Sequence, residues 1–364
     1  MNLLSTRRRL KKTASGRFLL GTMSLVYGAA VILRALSYRL KVLPSRALKV
    51  RTVCIGNLTV GGTGKTCAVL TAAKVLHRKK LRTAILSRGH GRLSRRREVA
   101  VLLDSRDDPP WQETGDEPRM MHEELKGLEV PILVCPDRWR AGRTAIMYYD
   151  PQVILLDDGF QHLRLRRDAD IVLISALDPF GGRRLLPLGD LREPARALRR
   201  ATLAMITHID QVPPETVKGI RAELLKIHPG LKIAEAVHVP DAFHDVKTGQ
   251  RLPLTHLKDR EAACFSAIGT PEAFEATLKG LGTRLEQVWR FPDHHPYTEQ
   301  DARAIGNLLS GRPVVTTLKD CARLPSGWRG LLPGEVLALG VRLEVTHGKQ
   351  LWEETLCDGI GRAP

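Results

Sequence analysis

Paired cysteines are missing from this sequence. The six cysteines stand far apart, with no C-x-x-C pair among them: Cys54, Cys67, Cys135, Cys264, Cys321 and Cys357. Such spacing excludes the common zinc-site patterns and provides no disulfide framework. We therefore predict reduced thiols in a cytosolic protein, packed as small apolar side chains.

Acidic residues are missing from the first 97 positions, and the first one is Glu98. The same segment contains 23 lysines and arginines, which leaves 34 basic residues against all 39 acidic residues in the rest of the chain. The formal net charge of +18 is therefore a property of the N-terminal quarter. Its position matters more than its total for predicting a partner.

Aromatic residues are scarce, at 5% of the chain. The sequence pI of about 10.0 suits a nucleic-acid-binding ATPase. Proteins that bind single strands, however, combine a basic groove with aromatic side chains on which bases stack. Here the basic excess surrounds an apolar segment instead, so we predict no nucleic-acid partner.

The chain also has no apolar run of the roughly 20 residues that a membrane-spanning helix needs. The longest, Phe18 to Leu33, has 16 residues and is flanked by basic residues on both sides. Such flanks favour a helix lying in the interface of an anionic leaflet, where each nearby Lys or Arg contributes about 1 kcal/mol. A buried core helix is the alternative. A signal peptide is disfavoured because no small-residue cleavage site follows.

Short apolar runs alternate with helix-like segments over the following part of the chain. The predicted strands are Val50 to Leu58, Thr83 to Leu86, Val130 to Cys135, Val153 to Leu156, Ile171 to Ile174 and Leu203 to Thr207. This alternation predicts a parallel sheet that helices cover on both faces. Beyond about Asp210 we predict extended β pairing over Ile233 to Leu254, and then a smaller α/β lobe.

A glycine-rich segment lies between the first predicted strand and a helix-like segment. It reads Thr59-Val60-Gly61-Gly62-Thr63-Gly64-Lys65-Thr66. In a phosphate loop, glycines let backbone N–H groups turn toward the β-phosphate, a lysine reaches the β and γ oxygens, and a hydroxyl holds magnesium. Thr59 replaces the first glycine of the general pattern, but the strand, loop and helix context indicates a nucleotide phosphate site. A chance glycine turn is the alternative.

The predicted fold class is therefore α/β, a P-loop NTPase-like parallel sheet flanked by helices, with a second smaller α/β lobe and an N-terminal membrane-associated helix. We expect four regions along the chain. They are an N-terminal helix at 1–48, a P-loop lobe at 49–210, a helix and β-type linker at 211–258, and a smaller lobe at 259–364.

A second polar motif, Asp157-Asp158-Gly159-Phe160-Gln161-His162, directly follows an apolar strand. Carboxylates at the carboxyl end of a buried strand beside a phosphate loop are placed to hold magnesium, directly or through water. The alternative is a pair of capping carboxylates in a turn. Further along, Arg192 and Glu193 lie in a proline-bounded loop that could close on the nucleotide phosphates.

Three further segments are weak signals by themselves. The segments Gly115 to Pro118 and Phe291 to Pro296 are each compatible with an ordinary turn. The segment Thr207 to Asp210 faintly resembles the base-reading [NT]-K-x-D loop of some nucleotide enzymes, but His208 replaces the lysine.

Seven segments together resemble a known family. In chain order they are TVGGTGKT, LSRGHG (Leu86 to Gly91), GDEP (Gly115 to Pro118), DDGFQH (Asp157 to His162), LREP (Leu191 to Pro194), FPDHHPY (Phe291 to Tyr297) and TTLKD (Thr316 to Asp320). They resemble tetraacyldisaccharide 4′-kinase, which phosphorylates the 4′-hydroxyl of the lipid A disaccharide precursor. The resemblance implies a P-loop lobe, a β linker, a smaller lobe, and an N-terminal apolar helix at the cytoplasmic face of the bacterial inner membrane.

The resemblance also implies roles for individual residues. Asp116 would accept the proton of the attacking sugar hydroxyl or orient the base, and His294 would tune it. Lys65 and the phosphate loop would bind ATP, and Arg192 would stabilise charge on the transferred phosphoryl group. Five residues would surround or support Mg²⁺: Thr66, Asp157, Asp158, Gln161 and Glu193.

One departure from the family is Asp190, where members commonly have proline. The alternative function is a membrane-associated P-loop ATPase switch without lipid kinase activity. Such switches usually carry a lysine before the glycine pair, where this chain has Val60. The expected partners are the lipid A disaccharide precursor and the anionic inner-membrane surface, and no obligate protein partner is visible in the sequence.

Overall fold

The computed structural model describes residues 3–89, 92, 98–103, 111–269, 271–292, 295–309, 311–325 and 327–360. Its α-helices are α1 (Leu3–Lys11), α2 (Ala14–Arg39), α3 (Lys65–Arg78), α4 (Trp111–Thr114), α5 (Asp116–Leu125), α6 (Arg138–Tyr149), α7 (Pro214–Ile227), α8 (Pro271–Gly280), α9 (Glu299–Leu308), α10 (Leu318–Cys321), α11 (Trp328–Leu331) and α12 (Lys349–Cys357). Short 3-10 turns lie at Gly181–Arg183, Ala195–Arg200, Ile209–Gln211 and Leu254–Leu257.

The strands form one continuous sheet within the described residues. They are β1 (Arg51–Asn57), β2 (Thr83–Ser87), β3 (Ala100–Leu102), β4 (Ile132–Val134), β5 (Val153–Asp157), β6 (Ala169–Ser175), β7 (Leu203–Thr207), β8 (Lys232–Asp245), β9 (Arg251–Leu252), β10 (Glu261–Ser266), β11 (Arg284–Arg290), β12 (Val314–Thr317) and β13 (Val336–His347). Their spatial order is β11-β10-β12-β13-β8-β7-β6-β1-β5-β2-β4-β3, with β9 paired to β8.

The first lobe is built on the parallel strands around β1. Successive residues of β1 belong to opposite faces: Val53 packs with the core that includes α3, α5 and α12, whereas Cys54 packs with the core that includes α6 and α7. Every residue of β2, β5, β6 and β7 is buried. Continuous burial is the property of a parallel sheet covered on both faces, as the apolar runs predicted.

Two long strands join this lobe to a second, smaller one. Strand β8 starts parallel to β7 and then pairs antiparallel with β13 along most of its length. Strands β12, β10 and β11 continue the sheet in parallel beyond β13. The extended pairing predicted over Ile233 to Leu254 corresponds to β8 and β9.

The C-terminal helix returns to the first lobe. Trp352 and Leu356 of α12 are fully buried in the core that contains α3. The sequence predicted one region at 259–364. Within it, β13 pairs antiparallel with β8, and α12 then packs on the first lobe. Helix α12 was not predicted from the sequence.

Helix α2 extends well beyond the apolar run that predicted it. It contains 26 residues, starting after Thr13, whose side chain accepts a hydrogen bond from the Gly16 N–H. Among the described residues it is the helix that is long and apolar enough to cross a membrane by length and composition. Signal sequences and buried core helices can meet the same criteria. Only 11% of its 18-residue apolar window is buried, which argues against the core helix.

Candidate active site

The glycine-rich segment forms a loop between β1 and α3. Gly61 and Gly64 have φ angles of 125° and 81°, in the left-handed region that glycine tolerates best. Gly64 also lies directly under the ring of His238, where a Cβ atom would approach Nε2 to 2.0 Å. Lys65 and Thr66 are the first two residues of α3, so both side chains start at the positive end of the helix dipole.

Hydrogen bonds fix the loop from inside the lobe. Asn57 donates from Nδ2 to Thr63 Oγ1 at 3.1 Å, and Thr207 at the end of β7 donates from Oγ1 to the Thr63 carbonyl at 3.2 Å. Thr59 and Thr63 are buried, whereas Val60, Gly61 and Gly62 are exposed. The exposed arc of the loop leaves its backbone accessible to a phosphate group.

The predicted proline-bounded loop pairs directly with the phosphate loop. Thr59 forms an antiparallel bridge with Leu191. The Val60 N–H donates to the Asp190 carbonyl at 2.8 Å, and the Arg192 N–H donates to the Leu58 carbonyl at 2.7 Å. The two segments therefore form one backbone unit, although more than 120 residues separate them in sequence.

Asp158 lies between two cations of this unit. Arg192 Nη1 is 2.9 Å from both carboxylate oxygens, and Lys65 Nζ is 3.8 Å from Oδ1. Burial alone would raise the pKa of Asp158, but Lys65 and Arg192 together outweigh it and lower that pKa. The carboxylate is therefore ionised at neutral pH.

Asp157 has the opposite electrostatic environment. It accepts a hydrogen bond from Ser87 Oγ at 3.0 Å. Burial, followed by the negative charges of Glu117 and Asp158, raises its pKa to about 7. The adjacent carboxylates Asp157 and Asp158 thus have different pKa values. The influence of Glu117 also shows that the start of α5 lies near this pair.

Gln161 and Glu193 occupy different surroundings. Gln161 donates from Nε2 to the Asn57 carbonyl at 2.9 Å, and its Oε1 lies 3.5 Å from Arg192 Nη1. Glu193 is buried and pairs with Arg200 at 2.7 Å. Within the described part of the chain, no hydrogen bond or ion pair joins Glu193 to Thr66 or Asp158.

Asp116, the predicted base, is the first residue of α5 and is 5% exposed. Its Oδ2 lies 3.5 Å from Nε of Arg323, which follows α10 in the second lobe. The adjacent Glu117 forms a second contact to that lobe, 2.6 Å from Lys319 Nζ. His294, which was predicted to tune Asp116, lies outside the described residues.

A buried polar cluster fixes Arg323. Its Nη2 donates to Asp320 Oδ1 at 3.0 Å, and the same oxygen accepts from Tyr297 OH at 3.1 Å and from the Ala267 N–H at 3.1 Å. Thr317 donates to the other oxygen at 2.6 Å. The FPDHHPY and TTLKD segments therefore meet through Tyr297 and Asp320, which are 23 positions apart in sequence.

Two arginines of the site were missed by sequence reasoning. Arg323 lies one helical turn after Asp320, so an i,i+3 charge pair following the predicted strand Val314 to Thr317 was the available signal. Arg138 follows β4, a position at the carboxyl edge of the sheet. Burial lowers its pKa to about 10, against the attraction of Asp157, which raises it.

Two histidines lie behind the phosphate loop. The rings of His208 and His238 stack with centroids 4.4 Å apart. His208 follows β7, where the sequence faintly resembled a base-reading loop, and its Nδ1 is 3.2 Å from both Ser175 Oγ and Thr207 Oγ1. The segment Thr207 to Asp210 therefore lies beside the phosphate loop: Thr207 bonds to Thr63, and His208 stacks on His238, which contacts Gly64.

Comparisons with known proteins agree with this architecture. Residues 16–360 match the family model LpxK, tetraacyldisaccharide-1-P 4′-kinase. The chain is 43% identical over 350 residues to tetraacyldisaccharide 4′-kinase of Elusimicrobium minutum, covering 96% of this chain and 93% of that protein. It is 36% identical to the enzyme of the same name from Anaeromyxobacter sp. strain K, covering 93% and 89% of the two chains.

A solved structure has the same fold. The crystal structure of LpxK from Aquifex aeolicus in complex with ATP matches with a TM-score of 0.75 and 28% identity, covering 93% of this chain and 98% of that one. The family model extends from residue 16 to residue 360, so it covers nearly all of α2, the site and the second lobe. This chain belongs to the tetraacyldisaccharide-1-P 4′-kinase family.

Proposed function

We propose that the protein transfers the γ-phosphate of ATP to the 4′-hydroxyl of a tetraacyldisaccharide 1-phosphate, which yields the 4′-phosphorylated lipid A intermediate. The observation that carries this proposal is the arrangement of Lys65, Arg192 and Asp158 at the phosphate loop, with the buried carboxylate of Asp116 on the adjacent α5. Phosphoryl transfer requires mainly positioning and charge neutralisation.

On the nucleotide side, the exposed arc of the phosphate loop binds the β-phosphate through backbone N–H groups. Lys65 and Arg192, which contact Asp158 in the structure, turn to the phosphate oxygens when ATP is present. Arg192 then stabilises the charge that develops on the transferred group. The backbone hydrogen bonds of Val60 and Arg192 keep the phosphate loop and the proline-bounded loop together while these two side chains move from Asp158 to the phosphates.

On the acceptor side, Asp116 is the proposed base for the sugar hydroxyl. A carboxylate within hydrogen-bond reach is sufficient for this role. Arg323 and the buried cluster around Asp320 hold Asp116 in position from the second lobe. His294 is proposed to assist Asp116 from the same lobe.

The donor set fits Mg²⁺. Magnesium at phosphoryl-transfer sites binds one or two carboxylates together with phosphates and water, rather than an all-protein cage. Asp158 and the Thr66 hydroxyl would hold it, and Asp157 and Gln161 would support them. Bound Mg²⁺ would neutralise charge on the β- and γ-phosphates. Glu193 could bind Mg²⁺ only after its ion pair with Arg200 breaks. We therefore propose Glu193 as a less direct ligand than Asp158 and Thr66.

Attachment to the cytoplasmic face of the inner membrane through α2 is also proposed. Several large apolar side chains of this helix and the segment after it are exposed: Phe18, Leu19, Met23, Leu25, Val26, Leu33, Leu36, Leu40 and Val42. Basic residues flank the helix on both sides, and they favour an anionic surface. ATP is available in the cytosol, so the phosphate loop must face the cytoplasmic side of the membrane.

The test is transfer of radiolabelled γ-phosphate from ATP to tetraacyl disaccharide 1-phosphate in detergent micelles. We expect labelled lipid with the native protein and with Lys218→Ala, an exposed surface control, but not with Lys65→Ala. ATP hydrolysis without label in the lipid would contradict the proposal and support the P-loop ATPase switch instead.

A further inference from the structure

Helix α2 presents two different faces. Gly16, Leu20, Ser24 and Gly28 recur every four residues and are its buried positions. Phe18, Leu25 and Val26 lie on other faces of the helix, with 79%, 76% and 68% of their surface exposed. Such a helix can contact a membrane with one side while the other side remains packed on the protein.

The buried face packs on the loop of residues 184–193, which we call the clamp loop. Ser24 Oγ donates to the Leu185 carbonyl, and a Cβ atom at Gly28 would meet Leu185 Cδ1 at 2.8 Å. Arg7 of the preceding helix donates from Nε to the Pro187 carbonyl and pairs with Asp190, both at 2.6 Å. The clamp loop is thus held from outside by α1 and α2.

Tyr27 reaches the catalytic end of the same loop. Its hydroxyl donates to the backbone carbonyl of Arg192 at 2.9 Å. Burial, followed by the charge of Glu193, raises the pKa of Tyr27, so the phenol remains a protonated donor. On the other side of the loop, the Arg192 N–H donates to the Leu58 carbonyl and its guanidinium contacts Asp158. One peptide segment is therefore held between the N-terminal helix and the phosphate loop.

We propose that Tyr27 is a positioning residue for phosphoryl transfer, holding the Arg192 backbone so that its guanidinium meets the transferred phosphate. Helix α2 then has two separable roles. Its exposed face binds the membrane, and its inner face sets the geometry of the phosphate site. This inference rests on the role proposed above for Arg192.

The first experiment compares Tyr27→Phe with Tyr38→Phe on the same helix. Loss of one hydrogen bond to the Arg192 carbonyl should lower kcat about fivefold. We expect KM for the lipid and sedimentation with anionic phospholipid vesicles to stay unchanged, the melting temperature to fall by no more than about 3 °C, and Tyr38→Phe to behave like the native protein. An unchanged kcat, or a kcat loss accompanied by loss of vesicle binding or by a larger fall in melting temperature, would overturn the inference.

The second experiment places Tyr27→Phe in an Arg192→Gln background. If Tyr27 acts through the Arg192 guanidinium, the added substitution has no further effect on the residual kcat, because interacting residues are not additive. A further fivefold loss would overturn the inference while leaving the role of Arg192 intact. Native activity of Arg192→Gln alone would instead remove the proposed role of Arg192, and this inference with it.

Discussion

Asp116 and Arg323 form an ion pair between the two lobes, with 3.5 Å between Oδ2 and Nε. Both side chains are almost fully buried, at 6% and 3% exposure. Asp116 starts a helix of the P-loop lobe, whereas Arg323 is fixed to the second lobe by Asp320. The proposed base is thus oriented by a residue from the opposite lobe, and its position depends on how the lobes meet.

Asp116→Asn should lower kcat by at least about 100-fold, since a positioned base contributes about 10²- to 10⁴-fold. The substitution keeps the shape of the side chain and removes the proton acceptor. Steady-state transfer to the lipid measures the effect, and Glu123→Gln, on the exposed side of the same helix, is the control. Turnover within a factor of two of the native protein would assign the base elsewhere.

Arg323→Gln should lower kcat while leaving KM for ATP unchanged, because Arg323 orients Asp116 and has no contact with the phosphate loop among the described residues. Some loss of stability is expected, since Asp320 loses a buried partner. Steady-state kinetics measured at temperatures where the variant is fully folded separate the loss of kcat from the loss of stability. A rise in KM for ATP with native kcat would contradict this role.

Asp158→Asn should reduce activity about 100-fold or more at saturating ATP, because it removes the charge between Lys65 and Arg192 and the main proposed Mg²⁺ ligand. Asp158 has a φ of 47°, and Asn tolerates this left-handed conformation. Asp150→Asn is a matched control, with a φ of 40° at an exposed surface ion pair. Equal activities of the two variants would refute the assignment.

Phe18→Ser combined with Leu25→Ser should weaken binding to anionic vesicles by at least about tenfold, since each buried large apolar side chain contributes about 1.5–3 kcal/mol. Sedimentation at two salt concentrations measures this binding. Met147→Ser is the control, a side chain of similar exposure on α6. Unchanged sedimentation of the double variant would place the membrane contact outside this face.

His238 should make the protein less stable in acid. Burial lowers its pKa from 6.5 to about 4, so protonation favours the unfolded chain, and stability is lost as pH falls from about 6.5 toward 4. One such group contributes at most about 1.4 kcal/mol per pH unit. Denaturant unfolding of His238→Gln should show a flatter pH dependence than the native protein. A slope equal to that of the native protein would contradict the assignment.

Much of the first lobe could be predicted from the sequence. The apolar runs at Val153 to Leu156 and Leu203 to Thr207 correspond to β5 and β7 within one residue. Strands buried on both faces are continuous apolar segments, so their pattern is local. Strand β13 and helix α6 were not predicted. The exposed and half-buried residues of β13 interrupt its apolar pattern, because β13 and β8 are two long antiparallel strands that connect the lobes.

The sequence by itself determined the phosphate loop, the carboxylate pair after β5 and the family, because these depend on residue types at fixed short spacings. Tertiary structure alone decided that Arg192 contacts Asp158, that Arg323 pairs with Asp116, and that Tyr27 holds the Arg192 carbonyl. These contacts join segments 34 to more than 200 residues apart. Local sequence patterns cannot predict contacts between such distant segments. These contacts depend on how the sheet, the clamp loop and the two lobes pack.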